Sequence, residues 1–313
     1  MAGLCAGRVV VVTGAGRGIG RGEAIGFARE GAKVVVADIG TDLEGTATWS
    51  SIADSVVSEI REFGGEAVSV AEDVGDWDAS KRIVDFAIET YGGLDVLVNN
   101  AGTLRDRMMF NMNEDDFDSV IRVHLKGTFN LTRWASIYWR ERSRNDLPNE
   151  ASVINTTSPA GLYGSAGQQN YSAAKAGIAI QTVGAARELA RYGVRANVIC
   201  PRARTRMTET VRGSASAAAP IPDQFDANDP DNVAPLVVWL GSTASAPVTG
   251  QVFEIRGGSI SVAEGWRRGP TAEKDGRWDP AELSDIVPSL VAEAYQLPVP
   301  GADRTGPRSG SPD

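Results

Sequence analysis

The chain has 313 residues, with 40 acidic against 31 basic side chains, a net charge of −9 and no lysine-rich run. That length can bury a sizeable core, and that charge balance excludes a surface suited to tracking a phosphate backbone, so nucleic acid is not an expected partner. Two cysteines, Cys5 and Cys200, and a single histidine exclude a disulfide framework and a His/Cys metal site, which fits a reducing, cytoplasmic setting with no metal.

The first apolar run, four valines after Arg8, is too short for a membrane span and follows no basic lead-in, so it reads as a buried strand and no membrane partner is expected. From there to residue 256 short β-branched runs alternate with helix-period stretches. Strands are predicted at 8–13, 33–38, 66–71, 94–99, 151–156, 194–199 and 251–256, and helices at 18–30, 50–63, 78–91, 114–142, 168–192 and 230–242. Several strand runs are apolar throughout, as strands buried on both faces must be. The rhythm predicts an α/β chain, a single-domain Rossmann fold whose doubly wound, parallel, seven-stranded sheet is covered by helices on both faces. Residues 1–264 make up that domain, and 202–229, rich in Arg, Ala and Ser, reads either as a substrate-covering lid or as a solvated loop. Residues 265–313 form a C-terminal extension, partly helical over 280–297 with Pro288 as an interruption and disordered at its tip.

Between the first strand and first helix stand Gly14, Gly16, Gly18 and Gly20, with Arg17 and Ile19 among them. Small residues there let backbone approach a pyrophosphate, and the following helix offers unpaired N–H groups and a positive dipole end. Without a ligand the same residues are a tight turn. The second strand ends in Asp38, where a carboxylate accepts hydrogen bonds from an adenosine ribose and repels a 2′-phosphate, which favours NAD over NADP. Arg17 pulls the other way, since a guanidinium can pair with that phosphate. Asp38 also fits a plain turn before Gly40.

Three motifs in order, "TGAGRGIG" (13–20), "NNAG" (99–102) and "YSAAK" (171–175), resemble the short-chain dehydrogenase/reductases over roughly residues 5–260. Within that family "GTLRDRMM", "VHLKGTFN", "YGSAGQQNYSAAKAG", "RTRMTETV" and "VAPLVVWL" are similar to a (3R)-hydroxyacyl-CoA dehydrogenase. The resemblance implies that Asp73 and Val74 flank the adenine, and that Asn99, Asn100, Ala101 and Gly102 line the cofactor ribose. It also implies a homotetramer or homodimer packed through helices 114–142 and 168–192. Two departures stand out. His124 replaces the family's usual Asn, whose main-chain carbonyl holds a water; a titrating relay and a purely structural histidine are the other roles open to it. In "CPRARTRM", Arg202 stands where the family has Gly and Thr205 follows Pro201 one position early, which loosens the nicotinamide contacts that Pro201 and Thr205 would carry.

Tyr171 and Lys175 stand one helical turn apart, so an ammonium can favour the phenolate that a general base requires, while Ser158 donates to the substrate oxygen. The implied reaction oxidises a secondary alcohol or reduces a ketone with NAD as hydride carrier. An acyl-CoA substrate would call on Arg105, Arg107, Arg202, Arg204 and Arg206. A hydroxysteroid dehydrogenase, an NADPH-dependent 3-oxoacyl reductase and a non-catalytic NAD-binding protein remain the alternatives.

Overall fold

The computed structural model describes residues 3–40, 52–205, 220–221 and 224–295. The chain divides into two compact units, Met1–Ala263 and Glu264–Asp313. In the first, strands β1 (Val9–Thr13), β2 (Lys33–Ala37), β3 (Glu66–Val70), β4 (Val96–Asn99), β5 (Ala151–Thr156), β6 (Val194–Pro201), β7 (Val252–Arg256) and β8 (Ser259–Val262) form one sheet. Its order is β3-β2-β1-β4-β5-β6-β7-β8. The seven predicted strands are present and parallel; an eighth, β8, folds back antiparallel on β7 with Ile255 opposite Ile260. Its four residues are exposed, so it lacks the continuous buried run that marks β1, β4 and β5.

Alternate residues of each strand feed two cores. Val10, Val12, Val34, Val36 and Ile154 pack beneath α1 (Gly18–Arg29), α2 (Ile52–Glu62) and α8 (Ala234–Gly241), whereas Val9, Val11, Val35, Leu97 and Val153 pack beneath α3 (Trp77–Tyr91), α5 (Gly127–Arg144) and α7 (Gln169–Leu189). Each such fully buried valine contributes about 1.5–3 kcal/mol relative to exposure. One group breaks the apolar packing: Glu23 of α1 is fully buried with neither carboxylate oxygen hydrogen-bonded, and burial raises its pKa to about 8.

The helix predicted over 114–142 is two helices, α4 (Glu114–Ile121) and α5, joined by a π-turn at Arg122–Lys126 in which the Gly127 amide donates five residues back to the Arg122 carbonyl. A short helix, α6 (Pro159–Tyr163), follows β5, and the stretch before α8 is a 3₁₀ turn. In the second unit α9 (Leu283–Glu293) runs through Pro288, where the missing N–H forgoes one helical bond. Among the described residues no helix is long and apolar enough to cross a membrane, and no cluster of His, Cys, Asp and Glu could hold a metal. The order of strands reverses between β1 and β4, which opens a crevice at their carboxyl ends.

Candidate active site

The crevice begins where Thr13 closes β1. Its hydroxyl accepts the amides of Asn100 and Ala101, each at 3.1 Å, and donates to the Val98 carbonyl. The Asn100 side-chain amide returns to the carbonyls of Thr13 and Gly14 at 3.1 and 3.2 Å. Gly14, at φ +63°, lies so close beneath Ala101 that a Cβ would stand 2.7 Å from its Cα, so this contact accepts no side chain. The side chain of Arg17, the residue before α1, does not cap the helix as it opens at Gly18, whose first N–H groups are directed out of the helix end. Ile19 tucks into the core behind them.

Asp38 faces this loop. One carboxylate oxygen accepts the Gly16 amide at 2.9 Å, and the other accepts that of Gly40 at 2.7 Å. Thr205 packs beside Gly18, its methyl 3.5 Å from where a Cβ would be, and Pro201 ends β6 opposite Ile255. Asp73 accepts the Gly75 amide at 2.8 Å and pairs with Arg122 at 2.7 Å. The Val74 carbonyl accepts from Ser80 and Asn130. Amides at a helix start, a close-fitting glycine loop and a carboxylate held against that loop together match the donor and acceptor set of a dinucleotide.

On the other side α7 carries Tyr171 and Lys175 in its first two turns. Fully buried Asn170 fixes that start: its oxygen accepts the Tyr171 amide at 2.7 Å, and its nitrogen donates to the carbonyls of Arg105 and Asp116. Lys175 Nζ donates to the Thr156 carbonyl at 2.7 Å and lies 5.6 Å from the Tyr171 ring centre. Ser158 sits at the carboxyl end of β5 and caps α6, its hydroxyl accepting the Ala160 amide at 3.3 Å.

The electrostatics differ from the expectation. Burial dominates and pushes Tyr171 up to about 12, the hydrogen bond with Ser158 pulling it back, while burial brings Lys175 down to about 7. The ammonium expected to favour the phenolate is itself disfavoured, because Lys175 trades water for a single carbonyl.

His124 enters from the π-turn. Its Nε2 lies 2.7 Å from the Thr103 carbonyl and 3.0 Å from the Thr103 amide, and its ring meets that of Tyr171 edge-on, centroids 5.2 Å apart. Gly102 makes room for it, since a Cβ there would come within 2.3 Å of the imidazole. Burial first, and Lys175 second, hold His124 well below the usual histidine range, so the ring is neutral at physiological pH.

The arginines do not form one open cluster. Arg105 lies 3.6 Å from Asp115 and 4.0 Å from Asp116, and Arg107 is 3.9 Å from Asp116. Arg204 pairs with Asp226. Arg206 and much of the segment 202–229 lie outside the described residues.

Sequence reading missed several supports. Asn155 accepts from Asn99 at 2.8 Å and donates to Thr182 at 2.8 Å, linking β4, β5 and α7. Gln168 donates to Asp106 at 2.8 Å, and Tyr163 donates to Glu254. Asn155 left a readable signal, a polar residue inside the buried run of β5; the other partners are too distant in sequence to have left one.

Comparison with known proteins is consistent with this geometry. A family model described as short chain dehydrogenase matches residues 8–215. Hydroxyacyl-CoA dehydrogenase ChsB1 of Mycobacterium tuberculosis is 45% identical over 293 residues, covering 91% of this chain and 89% of that protein. Peroxisomal multifunctional enzyme type 2 of Mus musculus is 42% identical over 262 residues, covering 84% of this chain and 33% of that longer protein. The crystal structure of a short chain dehydrogenase from Mycobacterium avium is similar with a TM-score of 0.86 and 52% identity, covering 96% of this chain and all of that one.

Proposed function

Because the chain belongs to the short-chain dehydrogenase family, and is thereby an oxidoreductase, we propose that it interconverts a secondary alcohol and a ketone on a 3-hydroxyacyl-CoA-type substrate, with NAD as cofactor and Tyr171 as general acid/base. The observation that carries this reading is the meeting of Ser158, Tyr171 and Lys175 past the carboxyl end of β5, the same end of the parallel sheet at which the glycine loop follows β1. The names of the two relatives above support the substrate class.

NAD would be held by the glycine loop from Gly14 to Gly20, by Asp38 at the adenosine ribose and by Asn100 to Gly102. Asp73, Val74, Pro201 and Thr205 would add contacts along it. When bound it supplies the hydride acceptor. The protein's own residues handle position and proton. Ser158 donates to the substrate oxygen and holds it at the Tyr171 hydroxyl, and Tyr171 removes the hydroxyl proton during oxidation or returns one during reduction. Lys175, titrating near neutrality, offers the site a proton-exchanging neighbour. His124 walls Tyr171 with a neutral ring. Asp38 disfavours a 2′-phosphate by like charge, which supports NAD over NADP.

The same reading makes 202–229 the substrate cover and makes the chain a cytoplasmic homotetramer or homodimer of lipid metabolism, packed through α4, α5 and α7. The test is a turnover screen of 3-hydroxyacyl-CoA, steroid and small secondary alcohols with NAD and NADP. The expected result is the highest kcat/KM for a 3-hydroxyacyl-CoA with NAD. A higher value for a steroid, or with NADP, would replace this reading.

A further inference from the structure

Ser158 opens α6, a helix of only five residues. A helix that short does not sustain itself, since nucleation alone costs more than its few bonds return. Tertiary contacts must therefore hold it, and they come from two sides. On one side it lies against α7: a Cβ at Gly161 would stand 2.5 Å from the Lys175 Cβ, and the neighbouring Thr157 hydroxyl donates to the Lys175 carbonyl at 2.7 Å. On the other side the last residue of α6, Tyr163, donates its hydroxyl to Glu254 of β7.

Glu254 is an unusual residue for that place. It is half-buried in a strand, stands in register with Cys200 of β6 and Ser261 of β8, and enters no ion pair among the described residues. Cys200 alternates with Ile199, and Glu254 with Phe253 and Ile255, which pack in the core beneath α1, α2 and α8, so Cys200 and Glu254 face the side of the sheet that carries α7. A carboxylate taken partly from water is costly unless a strong donor meets it, and the Tyr163 hydroxyl is that donor. Along the chain Tyr163 lies between Ser158 and Tyr171, followed by Gly164 at φ +77° where the backbone turns toward α7. The anchor thus controls the segment joining the two groups that meet the substrate oxygen.

We propose that Tyr163 and Glu254 are a positioning pair for the reaction: Glu254, through Tyr163, fixes the Ser158-bearing turn and so aligns the substrate oxygen with Tyr171. This rests on the acid/base reading above.

The experiment uses the full chain with NAD and a 3-hydroxyacyl-CoA, comparing Tyr163→Phe, Glu254→Val, Glu254→Gln and the double variant Tyr163→Phe with Glu254→Val. Loss of one charge-assisted hydrogen bond should lower kcat about tenfold in Tyr163→Phe and in Glu254→Val, with KM and the NAD Kd nearly unchanged. Glu254→Gln keeps an acceptor and should recover most of kcat, and the double variant should be no worse than either single one. Additive losses, unchanged kcat in Tyr163→Phe, or a raised KM with kcat intact would each overturn the pair; the last would make Glu254 a direct substrate contact. Tyr171→Phe run alongside separates the two claims. If it turns over like wild type, the acid/base reading fails; if it is inactive while Tyr163→Phe is fully active, only the positioning pair fails.

Discussion

At the amino end of α1 the crevice is shaped by what the chain omits, and along α7 by what it buries. Gly14 lets two backbones touch where no side chain fits, and the groups left facing outward are main-chain amides whose state does not change with pH. Across the cleft Tyr171, Lys175 and His124 are titratable groups taken out of water, each moved from its usual pKa with burial as the largest cause. The first surface suits a ligand that must be bound repeatedly in one pose. The second shifts proton affinity in both directions, strengthening the hold of Tyr171 on its proton and weakening that of Lys175 and His124, so each is biased toward its neutral form.

The sharpest way to break that contrast is Tyr171→Phe. It should lower kcat about 10³-fold, or about 4 kcal/mol, with NAD binding unchanged by calorimetry; a parallel loss of NAD affinity would mean the two sides are not separable. Next in size is Glu23, a buried carboxyl on the glycine side. Its native carboxyl keeps a proton to about pH 8 that the unfolded chain releases near 4.5, so stability falls as pH rises between those values. At pH 7 the cost is about 3 kcal/mol. Glu23→Leu should therefore raise Tm most at pH 7 to 8 and least at pH 5, and a gain independent of pH would show that Glu23 is charged in the native state. Asp38→Ala should change the ratio of kcat/KM for NAD to that for NADP by about tenfold, on the order of one lost like-charge contact; an unchanged ratio would leave discrimination to Arg17. The smallest effect belongs to Arg105→Ala with Arg107→Ala. Both arginines are already engaged by the carboxylates of Asp115 and Asp116, which leaves less of their charge for a ligand, so KM for an acyl-CoA should rise only about a few-fold, with no change for a small alcohol. Equal changes for both would remove these arginines from substrate recognition.

The same division decides what was readable in the sequence. The central strands β1, β4 and β5 and the glycine loop announce themselves locally, because a strand buried on both faces must be largely apolar and a close backbone approach must lack side chains, whereas β3 and β7 are legible from their β-branched runs and their place in the alternation. Asp38 is legible for a similar reason, as the first charge after an apolar run. Lys175 and Tyr171 are legible as a spacing, but their proton affinities are not. Those depend on the Thr156 carbonyl and on burial beneath α6, a helix too short to leave a periodic signature. The split of 114–142 escaped because one inserted residue hardly disturbs an averaged helical period. Glu254 gave no hint of Tyr163, since nothing in either neighbourhood specifies a partner so far along the chain.

That inserted residue works as a spacer in a threaded rod. Between Arg122 and Lys126 the backbone advances one residue more than an α-helical turn holds, and the surplus turns His124 inward beneath Thr103. Excising a single residue there would rotate α4 by about 100° relative to α5. The imidazole would leave the Thr103 carbonyl, and the space kept by Gly102 would stand empty against the Tyr171 ring. Tyr171 would keep its place on α7 yet lose the imidazole that meets its ring edge-on. The packing beside Tyr171 is thus set by the length of the chain at this turn as well as by the residues in it.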